Sequence, residues 1–302
     1  MSFDHHGFVV IDKPENLSSA RVVSHVKRTL NAKKVGHAGT LDPFATGVMI
    51  CCVNRATRLA RFFLEGDKTY EALLHLGLET DTQDATGQRI SERPVPECSK
   101  VEIQHIFSAF VGRLDQVPPV YSALKHNGVP LYKHARRGKP IQKPARQIVV
   151  REMDIFEIRL PYIRFEVTCS AGTYVRTLAA DIGKAIGCGG HLKQLRRTRS
   201  AGFSIADAMT LEAFEEHARK DRFSRYAVGM TEALRYMPEW TAGNDLKSKI
   251  VHGVPLTQKD IALGETFGKD KFIKIIDADR ELLAVITQHE TPGEYRYCCV
   301  FN

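Results

Sequence analysis

The chain has no apolar run long enough to cross a bilayer. The longest near its start, Phe8-Val9-Val10-Ile11, is closed off by Gly7 and Asp12, far short of the ~20 residues a spanning helix needs. It is also too short for a signal-peptide core, so a cytoplasmic protein without membrane association is expected. Cys-x-x-Cys is absent, and the seven cysteines include two adjacent pairs, Cys51-Cys52 and Cys298-Cys299. Neither a disulfide framework nor a zinc site is indicated, which leaves small buried residues in a reducing compartment. Missing too are G-x-x-x-x-G-K-[ST], G-x-G-x-x-G after a strand, H-E-x-x-H and G-x-S-x-G. ATP chemistry, hydride transfer and zinc hydrolysis therefore lose support, and no dinucleotide or methyl-donor pocket is indicated. No cofactor and no metal are expected.

Acidic residues are locally scarce as well. The 302 residues carry a formal net charge of +8, which suits an anionic partner. From Lys125 to Arg151 eight Lys or Arg occur with no acid, and Lys193, Arg196, Arg197 and Arg199 form a second acid-free cluster. Two such clusters are the footprint of a phosphate-binding surface.

Hydrophobic residues at 43% and charged residues at 26% fit a globular protein with a full core. Phe8 to Ile11 reads as a buried strand. Ser18 or Ser19 can cap a helix through Val22, Val23, Val26 and Leu30. Residues 33 to 47 break pattern with three glycines, a proline and an Asp. Val48 to Val53 reads as a strand, Asn54 can start a helix that ends before Gly66, and Tyr70, Ala72, Leu74 and Leu76 alternate as a strand. Ser99 with Glu102 is a capping-box signature. Val117 to Pro144 looks like a long exposed excursion with one small helix, and excursions of that length are usually functional or disordered. Strands follow near 147–158 and 162–170, then a helix opened by Gly172-Thr173. After Pro238-Glu239-Trp240 a short helix precedes β-rich stretches near Phe272–Ile276, Leu282–Ile286 and Tyr295–Phe301, expected to form a separate small domain.

Asp42 stands out. An Asp before Pro is ordinarily a helix N-cap or turn, yet His37, Gly39, Thr40, Asp42 and Gly47 crowd polar groups and flexible backbone into one short loop, the setting favoured by catalytic groups. His37-Ala-Gly-Thr-Leu-Asp-Pro-Phe-Ala-Thr-Gly47 resembles the signature of the TruB-type pseudouridine synthases. Three further stretches match in order: Lys68-Thr-Tyr70, the segment Pro118 to Arg136, and Ser170-Ala-Gly-Thr-Tyr-Val-Arg176. The resemblance spans about residues 8 to 200, with Met49 where the family more often has Leu, a volume-conserving exchange.

The resemblance implies an α+β fold: a pseudouridine-synthase core with an antiparallel-rich sheet and flanking helices over residues 1–239. A basic RNA-gripping insertion at about 117–146 and a small β-rich PUA-like RNA-binding domain over 240–302 complete it. It implies isomerisation of a uridine in the transfer-RNA T-loop by base flipping, with the T-arm as partner and no small-molecule cofactor; a monomer is expected, although nothing in the sequence fixes the oligomeric state. Asp42 is the implied nucleophile. Tyr70, Tyr174, Arg176, Asp84, Leu195 and Lys13 are implied active-site support: Arg176 opposite Asp42, Asp84 holding Arg176, Tyr70 stacking on the base. His37 is implied to fill the gap left in the RNA stack, and Lys125, Tyr132, Lys133, Arg136, Arg137, Lys193 and Arg196 to contact RNA. The chemistry agrees, since breaking an N–C bond and re-forming it as C–C has no net redox change and needs only a carboxylate. Competing readings are an RNA-binding protein without catalysis, an isomerase acting on another RNA and, more distantly, a methyltransferase. Attack of Asp42 on the uracil ring, on ribose C1′, and a glycal-type path in which Tyr70 assists all remain open.

Overall fold

The computed structural model describes residues 5–220, 226–261, 272–291 and 293–301. A nine-stranded sheet forms its centre, ordered Gly7–Lys13, Thr46–Val53, Gly190–Ser200, Lys68–Leu76, Tyr162–Cys169, Arg146–Arg159 and Gly112–Gln116, with Val35–His37 and Phe203–Ser204 attached at its sides. These pairings are antiparallel except one, Thr46–Val53 against Gly190–Ser200.

The strands on the two sides of that parallel join are built differently, and their sequences show why. Gly7–Lys13 and Thr46–Val53 are apolar at nearly every position because both their faces are covered. Val9, Ile11, Met49 and Cys51 pack under the helices Ser19–Thr29 and Leu211–Arg219. Phe8, Val10, Ile50 and Cys52 pack on the opposite face. Lys68–Leu76 alternates instead, its Tyr70, Ala72, Leu74 and Leu76 buried beneath the helices Lys100–Ser108 and Val175–Ile186. Ser99 and Glu102 close the expected capping box, and Glu102 Oε2 accepts from the Ser99 backbone N–H at 2.8 Å.

A second sheet, ordered Glu239–Thr241, Phe272–Ile276, Leu282–Gln288, Glu294–Val300 and Leu256–Thr257, carries the helix Asn244–Val251 on one side. Its other side shares one apolar cluster with the central sheet, where Ile276, Leu282, Val285, Cys299 and Phe301 meet Phe8, Val10 and Ile50. A division after residue 239 would cut the strand Glu239–Thr241, which pairs wholly within this second sheet. Among the described residues no helix is long and apolar enough to cross a membrane.

The excursion after Val117 holds a small hairpin, Lys125–His126 with Val129–Pro130, and the one-turn helix Leu131–Ala135. Among the elements not legible in the sequence are the helix Leu211–Arg219 and the strands Gly112–Gln116 and Gly190–Ser200. Gly190–Ser200 escapes because register shifts at Leu192/Gln194 and Arg197/Arg199 break its period of two.

Gly47 sits at the parallel join, paired with Arg197, at φ 104°. A Cβ there would lie 2.2 Å from the Arg197 carbonyl oxygen. That oxygen belongs to a central strand and cannot move aside cheaply. Gly47→Ala is therefore expected to destabilise the protein by about 4 kcal/mol or more, read as a fall in urea midpoint. A midpoint within error of wild type would refute this packing.

Candidate active site

The loop carrying Asp42 leaves the sheet beside that join. Residues Asp42 to Ala45 form a turn, not a helix, closed by the Ala45 N–H on the Asp42 carbonyl at 3.1 Å. Two buried side chains fix it from below. Ser19 Oγ donates to the Leu41 carbonyl and accepts from the Leu41 N–H, both at 2.9 Å. Lys13 Nζ donates to the carbonyls of Pro14, Leu17 and Pro43 at 2.8, 2.7 and 3.1 Å. Lys13 is fully buried, and burial lowers its pKa to about 8 against the attraction of Asp42. Its place is thus under the loop, where it braces Pro43.

The carboxylate meets Arg176 from the start of the helix Val175–Ile186. Arg176 Nε lies 2.8 Å from Asp42 Oδ2, and Nη1 lies 3.3 Å from Asp84 Oδ2. The same guanidinium donates to the carbonyls of Thr82 at 2.7 Å and Tyr121 at 2.9 Å. Asp84 Oδ1 accepts from the Thr82 hydroxyl, the Thr86 N–H and the Thr86 hydroxyl at 2.8, 3.0 and 2.6 Å. Asp84 thus anchors Arg176 while Arg176 holds Asp42.

Asp42 is enclosed by protein yet open to a cleft, with 36% of its side chain exposed, against 6% for Asp84. Its pKa is raised above the ordinary value, burial first among the causes; Arg176 opposes the rise and the Asp84 charge adds to it. No described donor engages Oδ1, so one oxygen of an oriented carboxylate is left for chemistry.

The cleft has two lobes that share Asp42, Thr40 and Arg176. One, of about 420 Å³, is lined by Tyr70, Tyr174, Leu195, Lys68, Arg146 and Arg197 among others. The second, of about 500 Å³, is lined by His37, Asp84, Tyr121, Tyr132 and Arg136 among others. Strand register explains the first. Tyr70 pairs with Arg197 and Ala72 with Leu195, and directly opposed residues share a face. Tyr70 is buried, which raises its phenol pKa against the pull of Arg197. Tyr174 ends the chain before the helix; Gln116 clamps its backbone N–H and carbonyl at 2.8 and 3.0 Å, and the Arg146 guanidinium lies 4.9 Å from its ring centroid. His37 is half-buried, and burial with the nearby Arg197 lowers its pKa, so its ring is neutral at pH 7.

The insertion reaches the site through Tyr121 and Ser122. The Tyr121 carbonyl accepts from Arg176, and the Ser122 carbonyl from the Tyr132 N–H at 3.1 Å. Lys125, Lys133, Arg136 and Arg137 are exposed on it, with Arg136 5.5 Å over the Tyr132 ring.

The second basic cluster does not form one surface. Arg196 is paired with Asp12 at 2.7 Å on the other face of its strand. Lys193 lies against Tyr162, 4.3 Å from the ring centroid. Arg197 is fully buried. Neither Lys193 nor Arg196 lines the cleft: alternation sends Arg196 to the face opposite Leu195 and Arg197, and Lys193 falls at the register shift between Leu192 and Gln194. Sequence reasoning missed Ser19, Gln116, Arg146 and Arg197 as parts of the site. The one available signal was the i, i+2 spacing of Leu195 and Arg197, hidden within a run that reads as solvated charge.

Comparison with known proteins agrees with this geometry. Residues 27–175 match the model of the TruB family pseudouridylate synthase N-terminal domain, and residues 176–235 that of the tRNA pseudouridylate synthase B C-terminal domain. The tRNA pseudouridine synthase B of Syntrophotalea carbinolica is 42% identical over 302 residues, covering 98% of each chain. That of Burkholderia mallei is 39% identical over 284 residues, 94% of this chain and 93% of its own. Among solved structures, a chain of a Cbf5-Nop10-Gar1 complex superposes with a TM-score of 0.77 at 27% identity, covering 98% of this chain and 84% of that one. A chain of an H/ACA RNP bound to a substrate RNA containing 2′-deoxyuridine gives 0.76 at 25% identity, covering 98% and 85%. The chain belongs to the TruB family of pseudouridylate synthases.

Proposed function

We propose that this protein isomerises a uridine in the T-loop of transfer RNA to pseudouridine, with Asp42 as the nucleophilic carboxylate. One observation carries the reading: a carboxylate held on one oxygen by a buried arginine, in a cleft walled by two tyrosines and flanked by an exposed basic insertion. A uridine inside a folded loop must leave its stack to reach Asp42, at a cost of a few kcal/mol. Stacking on Tyr70 returns roughly 1–3 kcal/mol. Tyr174, braced by Gln116, bounds the cleft opposite, and Leu195 supplies an apolar wall. His37 at the mouth of the second lobe suits the space the extruded base leaves behind. Lys125, Lys133, Arg136, Arg137 and Tyr132 form the grip on the T-arm, and the C-terminal sheet from Glu239 onward serves as a PUA-like second RNA contact. The enzyme works as a monomer.

The test uses an unmodified transfer-RNA transcript and a second transcript whose T-loop uridine is replaced by cytidine. Wild type is expected to form one pseudouridine in the first and none in the second. Tight binding without conversion would leave an RNA-binding protein; conversion at another uridine would move the target.

A further inference from the structure

The first lobe of the cleft is lined by four cationic side chains, Lys68, Arg146, Arg176 and Arg197, and by one carboxylate, Asp42. Arg176 is neutralised by Asp42 and Asp84. Two of the others are buried without any described carboxylate partner. Arg197 donates to the carbonyls of Val48 at 2.7 Å, Gly39 at 3.2 Å and Thr40 at 3.3 Å, and its remaining side-chain partner is the neutral Tyr70 phenol. Lys68, 7% exposed, donates to the carbonyls of Leu64 and Gly66. The first of these is the last carbonyl of the short helix Ala60–Leu64, but holding a helix end does not require burial, and an exposed lysine does it at less cost. Burying a cation without a counter-charge is expensive, so two side by side call for a use. Strand geometry places them at the base-binding wall: Lys68 and Tyr70 alternate onto one face, and Arg197 is the cross-strand partner of Tyr70.

The chemistry supplies the missing anion. If the bond from C1′ to N1 breaks, its electron pair stays on the ring and an Asp42 oxygen bonds to C1′. C5 then returns a pair to C1′, the carboxylate leaves, C5 loses its proton and N1 gains one. If Asp42 instead adds to the ring, the displaced pair becomes an enolate. Either way the uracil ring carries a full negative charge before a proton arrives. We infer that Lys68 and Arg197 form a cationic wall that stabilises this charge on the uracil ring, with Lys68 as a further catalytic group of the isomerisation. Preorganised donors facing a developing anion in a dry site need no reorganisation when the charge appears. The inference rests on the isomerase reading above.

Burial lowers the Lys68 pKa to about 8, and Arg197 acts in the same direction; Cys169 and Asp67 oppose it weakly. Cys169, opposite Lys68 on the neighbouring strand, is itself pushed up to about 11 by burial. The ammonium needed by the wall is therefore lost as pH rises through about 8.

Single-turnover conversion and transcript binding are measured from pH 6 to 9.5 for wild type, Lys68→Met and Lys68→Arg. Lys68→Met is expected to slow conversion on the order of 100-fold at pH 7, with RNA binding changed less than about threefold, within the discrimination one neutral contact supplies. Wild-type rate is expected to fall on the alkaline side, and Lys68→Arg to keep a cation and lose that fall. Lys13, which titrates in the same range, is unchanged in that variant, so an alkaline fall that persists in Lys68→Arg overturns the assignment. Conversion by Lys68→Met within about threefold of wild type also overturns it. Failure of wild type to convert would instead defeat the isomerase reading itself.

Discussion

Asp42→Asn is expected to abolish conversion, lowering the single-turnover rate by at least about 10³-fold, the scale on which enzymes lose rate when a nucleophile is removed. The exchange keeps shape and hydrogen bonding. The amide oxygen can accept from Arg176 Nε as Oδ2 does at 2.8 Å, and the turn is fixed by Ser19 and Lys13, which hold backbone atoms and not the carboxylate. A neutral amide, however, neither attacks carbon at a useful rate nor balances an oxocarbenium-like charge. Transcript binding should therefore stay within a few-fold of wild type. Quantifying pseudouridine by chemical derivatisation and primer extension reads the outcome. Conversion by Asp42→Asn above a tenth of the wild-type rate would show that the carboxylate is not the chemical group.

Arg176→Gln is expected to damage stability and chemistry together. Arg176 is 4% exposed and bridges Asp42, Asp84 and the carbonyls of Thr82 and Tyr121. Its removal leaves the buried Asp84 carboxyl beside Asp42 without its arginine, and breaking a buried pair from one side costs about 3–5 kcal/mol. The kinetic consequence has a sign. Asp42 already titrates above the ordinary carboxylate range, and Arg176 is the main influence holding it down. Without Arg176 the value rises further, so the ionised fraction at a given acidic pH falls. The ratio of variant to wild-type rate should therefore be smallest at low pH and recover as pH increases, a comparison that cancels any limb common to both. A ratio constant from pH 5.5 to 8.5 would mean that Arg176 acts through the fold alone. A urea titration alongside separates the two effects.

Asp42 was legible from its setting, and the residues around it only through the resemblance. Asp42 stands in a loop whose glycines and proline interrupt two regular elements, and Tyr70 belongs to a strand whose alternation is unbroken. The helix bearing Arg176 was signalled by Gly172-Thr173. What stayed hidden is burial of charge. The burial of Lys68, Arg197 and Lys13 has no signal in sequence, because only the long-range pairing of Gly190–Ser200 with Lys68–Leu76, and the closure of the Asp42 loop over Lys13, removes them from water. Either Ser18 or Ser19 can cap the first helix by sequence. Ser18 takes that role, accepting from the Arg21 N–H at 3.3 Å, which frees Ser19 to hold Leu41 across 22 residues of chain. Gln116 gave no sequence signal, since a glutamine ending a strand has no periodicity of its own.

The apolar cluster that joins Phe8 and Val10 to Val285 and Phe301 makes the two sheets partners in a single thermodynamic ledger. Whatever binds the C-terminal sheet only in its folded form raises the free energy of unfolding by RT ln(1 + [L]/Kd). Because the core is common, part of that increment is felt by the strand Thr46–Val53, from whose start the Asp42 loop hangs. A ligand seated far from the cleft can thus sharpen the geometry of the carboxylate without touching it, by suppressing the openings in which that strand frays.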